Sequence, residues 1–206
     1  MSVGNGSIAL IDYSAGNLQS VRNALKTAGA ENVVVTARAE DVLAADRIVL
    51  PGVGAFAHCM GALSALPGMV EALNEATGTK ARPFLGICVG MQLMAEAGEE
   101  HGVTPGLSWI KGRVRALRPA GPATKIPHMG WNDVLPTAPH PLIETGEAYF
   151  LHSFAFEGAD VLANTDHAGP VVAAIGVGNR IGVQFHPEKS QKYGLAFLER
   201  FLEWTP

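Results

Sequence analysis

The chain has 206 residues, 48% of them hydrophobic and 17% charged, with a formal charge of −4. This composition excludes a disordered or fibrous chain, and the slightly acidic balance argues against nucleic acid or an anionic membrane as partner. Two cysteines make no disulfide framework, no apolar run reaches the roughly 18 residues of a spanning helix, and MSVGNGSIALID lacks the basic and apolar regions of a secretory leader, so a cytoplasmic protein is expected.

The first half alternates short β-rich runs with helical patterns. SIALID (7–12) is a strand candidate ending in a Gly/Asn loop. In NLQSVRNALKTAGA, Leu18, Val21, Leu25 and Ala28 recur at helical spacing; Asn17 can cap the start and Gly29 can stop the helix. NVVVT (32–36), RIVLPG (47–52) and RPFLGI (82–87) are further strands, and GMQLMAEAGEE (90–100) reads as a helix. Continuous apolar strands alternating with helices predict an α/β fold, with a mostly parallel sheet covered on both faces and its function at the C-terminal strand ends.

Between residues 106 and 187 the pattern changes to short strands: GRVRAL, GWNDVL, AYFLHSFAF, DVLANT, VVAAIGV and RIGVQF, separated by Pro and Gly turns. These are expected as a smaller antiparallel extension. YGLAFLERFLEW closes the chain as an amphipathic helix with Tyr193, Phe197 and Phe201 on one face. No linker, repeat or low-complexity tract interrupts residues 1–206, so a single domain is expected.

Cys88 lies in GICVG, the G-x-C-x-G form of a nucleophile elbow at a strand-to-helix junction. The following helix would aim its N–H groups and dipole at the thiol and favour the thiolate. By itself the motif fits a core cysteine equally well. His186 ends the strand RIGVQF, and Glu188, two residues on, can face the same way across Pro187 and orient the imidazole. Cysteine, histidine and carboxylate then have the roles of a triad. An oxyanion would need backbone donors: the N–H of Val89, and that of Val53 or Gly52 in PGVG (51–54). His58 and Cys59 are adjacent, and neighbours on a helix diverge, so no metal is expected there; core packing is the expectation for Cys59. The chemistry requires no cofactor.

PGVG, GICVGMQLM and FHPEKS, in this order, resemble the class I glutamine amidotransferases. The resemblance covers nearly the whole chain and implies a flavodoxin-like sheet with a Cys88–His186–Glu188 triad. It further implies that Gln92 holds the glutamine substrate, that Glu100 meets its amino group, and that the backbone around His152 and Ser153 holds its carboxylate. IDYSAGNLQSV, KIPHMGWN, YFLHSF and GVQFHPEKSQKYGL narrow the likeness to the branch that hands ammonia to a (β/α)8-barrel cyclase subunit in histidine biosynthesis. Met129, Gly130, Trp131, Asn132 and Lys189 would then face that partner. Two positions depart from the family pattern: Ser14 where Gly is expected, and Phe154 where Tyr is expected. A glutaminase feeding pyridoxal phosphate synthesis, a cysteine peptidase of similar fold and a non-enzymatic relative are the competing readings.

Overall fold

The structure is a computed structural model that describes residues 6–118 and 124–206; Met1–Asn5, part of the stretch inspected for a leader, lie outside it. In chain order the first elements are β1 (Ser7–Ile11), α1 (Leu18–Thr27), β2 (Asn32–Thr36), α2 (Ala39–Ala44) and β3 (Arg47–Gly52). Then come α3 (Phe56–Ala65), α4 (Met69–Asn74) with a π-helical turn at Glu75–Thr79, β4 (Phe84–Cys88) and α5 (Val89–Gln92). The strands β5 (Ala95–Gly98), β6 (Thr104–Pro105), β7 (Ile110–Ala116), β8 (His128–Pro136), β9 (Gly146–His152) and β10 (Phe154–Gly158) follow. β11 (Val161–Asp166), β12 (Pro170–Val177), β13 (Arg180–Val183), a 3-10 turn at Pro187–Lys189 and α6 (Gln191–Glu203) complete the chain.

A nine-stranded sheet runs in the order β2-β1-β3-β4-β13-β12-β11-β8-β9. Its β2 to β13 half is parallel and the remainder antiparallel. The parallel strands are nearly all apolar because helices cover both faces; every residue of β4 is buried. α1 starts where the Asn17 side chain accepts a hydrogen bond from the Ser20 N–H at 3.3 Å, and the chain turns away beyond it at Gly29. It buries Val21, Ala24 and Leu25; a Val or Leu so buried contributes about 1.5–3 kcal/mol. α6 likewise buries Phe197 and Phe201, with Phe197 edge-on to Phe185 at 5.6 Å. Among the described residues, no single helix is long and apolar enough to cross a membrane.

After β1 the chain adds β2 on one side and returns to β3 on the other, which opens a crevice above the carboxyl ends of these strands. Cys88 and His186 lie at the same rim, because β4 and β13 are parallel to β3.

Two expectations are corrected. The helix expected over 90–100 is a single turn, and β5 replaces the rest of it. Ala, Glu and Met favour a helix locally, but Met94 O accepts the N–H groups of Trp109 and Ile110, and Gly98 packs so tightly on the Phe56 ring that a Cβ would lie 2.4 Å from it. Tertiary pairing outweighs propensity. AYFLHSFAF, read as one strand, breaks at Ser153: β9 stays in the large sheet, and β10 joins a second sheet, β10-β7-β5-β6.

Ser14 has φ +63°, and its N–H is held by the Asp12 carboxylate at 3.0 Å. Glycine is expected there because this left-handed backbone costs an L-residue about 1–2 kcal/mol. Ser14→Gly removes that strain but adds chain entropy to the unfolded state. The expected outcome is a gain of about 0.5–1 kcal/mol in urea unfolding free energy, with the slope unchanged.

Candidate active site

Cys88 is the last residue of β4, in register with Gly52 of β3. On the other side Val183 of β13 pairs with Ile87, so the chain leaving β13 brings Gln184 and His186 alongside. Adjacent strands are about 4.8 Å apart, so three neighbouring strand ends converge on one small volume. Cys88 has φ +54° and ψ −111°, a strained backbone state that costs about 1–3 kcal/mol. Close packing holds it there: a Cβ on Gly90 would sit 1.9 Å from Leu50 O, and one on Gly86 would sit 2.6 Å from Gly90 O. α5 is only one turn long, so the helix dipole expected from the sequence is that of a single turn.

The His186 ring is buried, with Nδ1 2.8 Å from Glu188 Oε1. A carboxylate only accepts, so Nδ1 carries the proton and Nε2 is left for Cys88. Burial opposes a charge on this ring, but the neighbouring Cys88 and the hydrogen-bonded Glu188 outweigh it and raise the pKa to about 9. The second carboxylate oxygen, Oε2, is buried without a hydrogen-bond partner among the described residues. A positive ring beside it offsets part of the cost of holding a charge there out of water. The loop itself is clamped: His186 N–H donates to Tyr149 O at 2.9 Å. Tyr149 N–H donates to Ser190 Oγ, which in turn donates to His186 O at 2.6 Å.

A cavity of about 160 Å³ opens at this point, lined by Val53, Gly54, Cys88, Val89, Gln92, Glu100, Leu151, His152, Ser153, Phe154, His186 and Lys189. Thus most of the candidate site residues border one chamber. Gly52 lies behind it, paired with Cys88. Glu100 also accepts the Phe56 N–H at 2.8 Å and so fixes the start of α3. Gln92 Nε2 donates to Phe154 O at 3.0 Å and to Gln184 Oε1 at 2.9 Å. The Phe154 contact is made by its backbone, so the absent hydroxyl does not affect it.

Gln184 was missed in the sequence. Its side-chain Nε2 lies 3.6 Å from Cys88 Sγ, placing a buried donor beside that thiol. The signal was available: a lone amide in an apolar strand, two residues before His186. A second unread feature is a chain of neutral rings. Asn132 Nδ2 donates to His128 Nε2 at 3.1 Å, His128 Nδ1 to His152 Nε2 at 3.0 Å, and His152 Nδ1 to Phe154 O at 2.9 Å. This order satisfies every ring nitrogen with both histidines uncharged. Burial foremost, then neighbouring histidines, lowers both pKa values to about 4.

The residues expected to face a partner divide by strand alternation. Met129 and Trp131 are exposed, opposite Leu151 and Tyr149 on β9. The Lys189 ammonium sits 5.7 Å from the centre of the Tyr149 ring. Asn132 points to the opposite face, toward His128 and Asp166 O.

The model of the class-I glutamine amidotransferases matches residues 9–204. The chain belongs to that family. Among curated proteins, this amidotransferase is 62% identical to the imidazole glycerol phosphate synthase subunit HisH of Zymomonas mobilis, over 98% of each chain. It is 53% identical to the HisH subunit of Rhodospirillum rubrum, over 97% of this chain and 99% of the relative. Among solved structures, a glutamine amidotransferase superposes with TM-score 0.73 at 17% identity, covering 95% of this chain and 99% of that one. PurLQS from Thermotoga maritima superposes with TM-score 0.69 at 18% identity, over 96% and 97%. These two share the fold.

The histidines set stability in separate pH windows. The raised His186 contributes stability fully below about 6.5, and this is lost as pH rises through about 9. The lowered His128 and His152 contribute above about 6.5, and this is lost as pH falls toward about 4. Urea midpoints measured across pH should therefore peak near 6.5 and decline on both sides. Glu188→Gln should make the alkaline decline shallower, because Cys88 still raises His186, and leave the acid one.

Proposed function

We propose that this chain is the glutaminase subunit of an imidazole glycerol phosphate synthase. It acts as one catalytic domain in the cytoplasm and hydrolyses glutamine for a (β/α)8-barrel cyclase subunit. The observation that carries the chemistry is the strained Cys88, set between the PGVG segment and the His186–Glu188 pair, beside a small cavity. The high identity to HisH subunits supports the choice of pathway.

Glutamine enters the cavity, with Gln92, Glu100 and the His152–Ser153 backbone holding its amino-acid end. The Cys88 thiolate, paired with protonated His186, attacks the carboxamide carbon. The oxygen takes the electron pair and is held by the Val89 N–H and an N–H of the Gly52–Val53 region; one such donor contributes roughly 3 kcal/mol. His186 passes its proton to the leaving nitrogen, the C–N bond breaks and ammonia departs, leaving a thioester. Water attacks with His186 as base, the C–S bond breaks, and glutamate leaves with Cys88 regenerated. The net reaction consumes one glutamine and one water and yields glutamate and ammonia. No cofactor enters these steps.

Ammonia released to bulk water would be protonated and lost as a nucleophile. A docked cyclase receives it and makes imidazole glycerol phosphate and aminoimidazole carboxamide ribonucleotide. Met129, Trp131, Leu151 and Lys189 form the docking face. The first three expose apolar surface beside the cavity mouth, as the apolar centre of a protein interface does.

Cys88→Ala should abolish glutamine-dependent synthesis by the complex and leave synthesis from added ammonium salt intact. Surviving glutamine turnover would remove Cys88 as nucleophile. Trp131→Ala should weaken cyclase binding by about 2 kcal/mol or more, as loss of an aromatic anchor does. Thermal stability of the isolated chain should change little, because Trp131 is half exposed; titration calorimetry and thermal melts separate the two.

A further inference from the structure

Two buried donors grip the end of β3 and the residue that follows it from outside the cavity. The Tyr13 hydroxyl, just beyond β1, donates to Pro51 O at 2.6 Å. Cys59 Sγ, on α3, donates to Val53 O at 3.4 Å. Tyr13 is 3% exposed and Cys59 0%. Burial raises the Tyr13 hydroxyl well beyond the usual phenol range and pushes the Cys59 thiol up to about 11. Both keep their protons at neutral pH and remain donors.

A trans peptide points its carbonyl and the next N–H in opposite directions. Holding Pro51 O therefore directs the Gly52 N–H, and holding Val53 O directs the Gly54 N–H. The peptide between them, Gly52–Val53, is bracketed by two anchored planes. Tyr13 also packs beneath Gly52: a Cβ there would lie 2.7 Å from the Tyr13 hydroxyl and 2.7 Å from Gly90 N. Gly52 is thus packed between the Tyr13 hydroxyl on one side and the turn that follows Cys88 on the other.

We propose that Tyr13 and Cys59 are positioning residues that set the direction of the oxyanion donor for Cys88 chemistry, although neither touches substrate. This rests on the glutaminase reading above. It gives Cys59 a role beyond core packing, and Tyr13 one that its place in a loop motif did not suggest.

The test uses the intact complex with its cyclase and the cyclase's ligand. Tyr13→Phe keeps the ring and removes the donor; Cys59→Ala removes the thiol. Each should lower kcat for glutamine about tenfold, the worth of one buried hydrogen bond, with KM unchanged. An aldehyde analogue of glutamine, whose Cys88 adduct carries its oxygen in the oxyanion position, should bind more weakly by the same factor. Cys59→Ser should recover part of the loss, and ammonia-dependent synthesis should be unaffected throughout. Unchanged kcat and aldehyde affinity in both single variants and in the double variant would overturn the proposal. So would a loss of glutamine turnover matched by an equal loss of ammonia-dependent synthesis, because that pattern means damaged folding or docking. A wild-type complex with no glutamine turnover would instead overturn the glutaminase reading itself.

Discussion

The site depends on one pairing constraint: β4 lies between β3 and β13, parallel to both. Three segments far apart in sequence therefore end at the same rim, about one strand spacing apart. The middle strand carries Cys88, and the chains leaving its neighbours carry the PGVG segment and His186. No long-range contact has to be built for the site alone, because the sheet register already supplies the juxtaposition. The glycines on either side of Cys88 are part of the same constraint. They let α5 return over the strand ends so closely that any Cβ would strike Leu50 O or the backbone of Gly90.

Buried charge is distributed with similar economy. His186 gains its charge through Glu188 and Cys88, whereas His128 and His152 are kept neutral by burial and satisfied by one another. A second charged ring at His152 would disfavour the first; the proximity of His186 is itself one of the influences lowering the His152 pKa. The neutral chain ends on Phe154 O, where Gln92 also donates. Gln92 in turn orders Gln184, whose amide reaches Cys88. Polar groups around Cys88 are thus tied into a connected network, which fixes one arrangement of the cavity lining.

The parallel half of the fold was legible because its strands are uniformly apolar and its helices periodic. α1 and α6 follow their sequence patterns closely, down to the Asn17 cap. Cys88, His186 and Glu188 were legible because a strand end, a small-residue turn and an i, i+2 spacing each leave a local mark. The stretch 90–100 was not. Its residues favour a helix, and the partners that turn it into β5 lie beyond it in sequence, around Trp109 and Ile110. Ser153 marks a strand crossing from one sheet to another, and nothing in AYFLHSFAF distinguishes that from a continuous strand. Tyr13 and Cys59 were illegible for the same reason: each looks like core until its acceptor, a backbone carbonyl on another element, is known. The Ser14 departure became interpretable only once its positive φ was seen.

The β8–β9 pair shows how one ribbon serves two surfaces. Side chains alternate across a strand, so the ribbon that exposes Met129, Trp131 and Leu151 must turn His128 and His152 inward. The register fixes His128 opposite His152 and Met129 opposite Leu151 in consecutive pairs. A slip of one residue would exchange the two faces, burying Trp131 and exposing the imidazoles. The outer apolar face and the inner polar chain are therefore specified by a single register. The same register sets the 3.0 Å contact between the two rings at the inner face. From there the hydrogen bonds continue through Phe154 O, Gln92 and Gln184 to Cys88, without crossing an apolar gap. Strand geometry alone thus places the exposed face and Cys88 at the two ends of one chain of polar contacts.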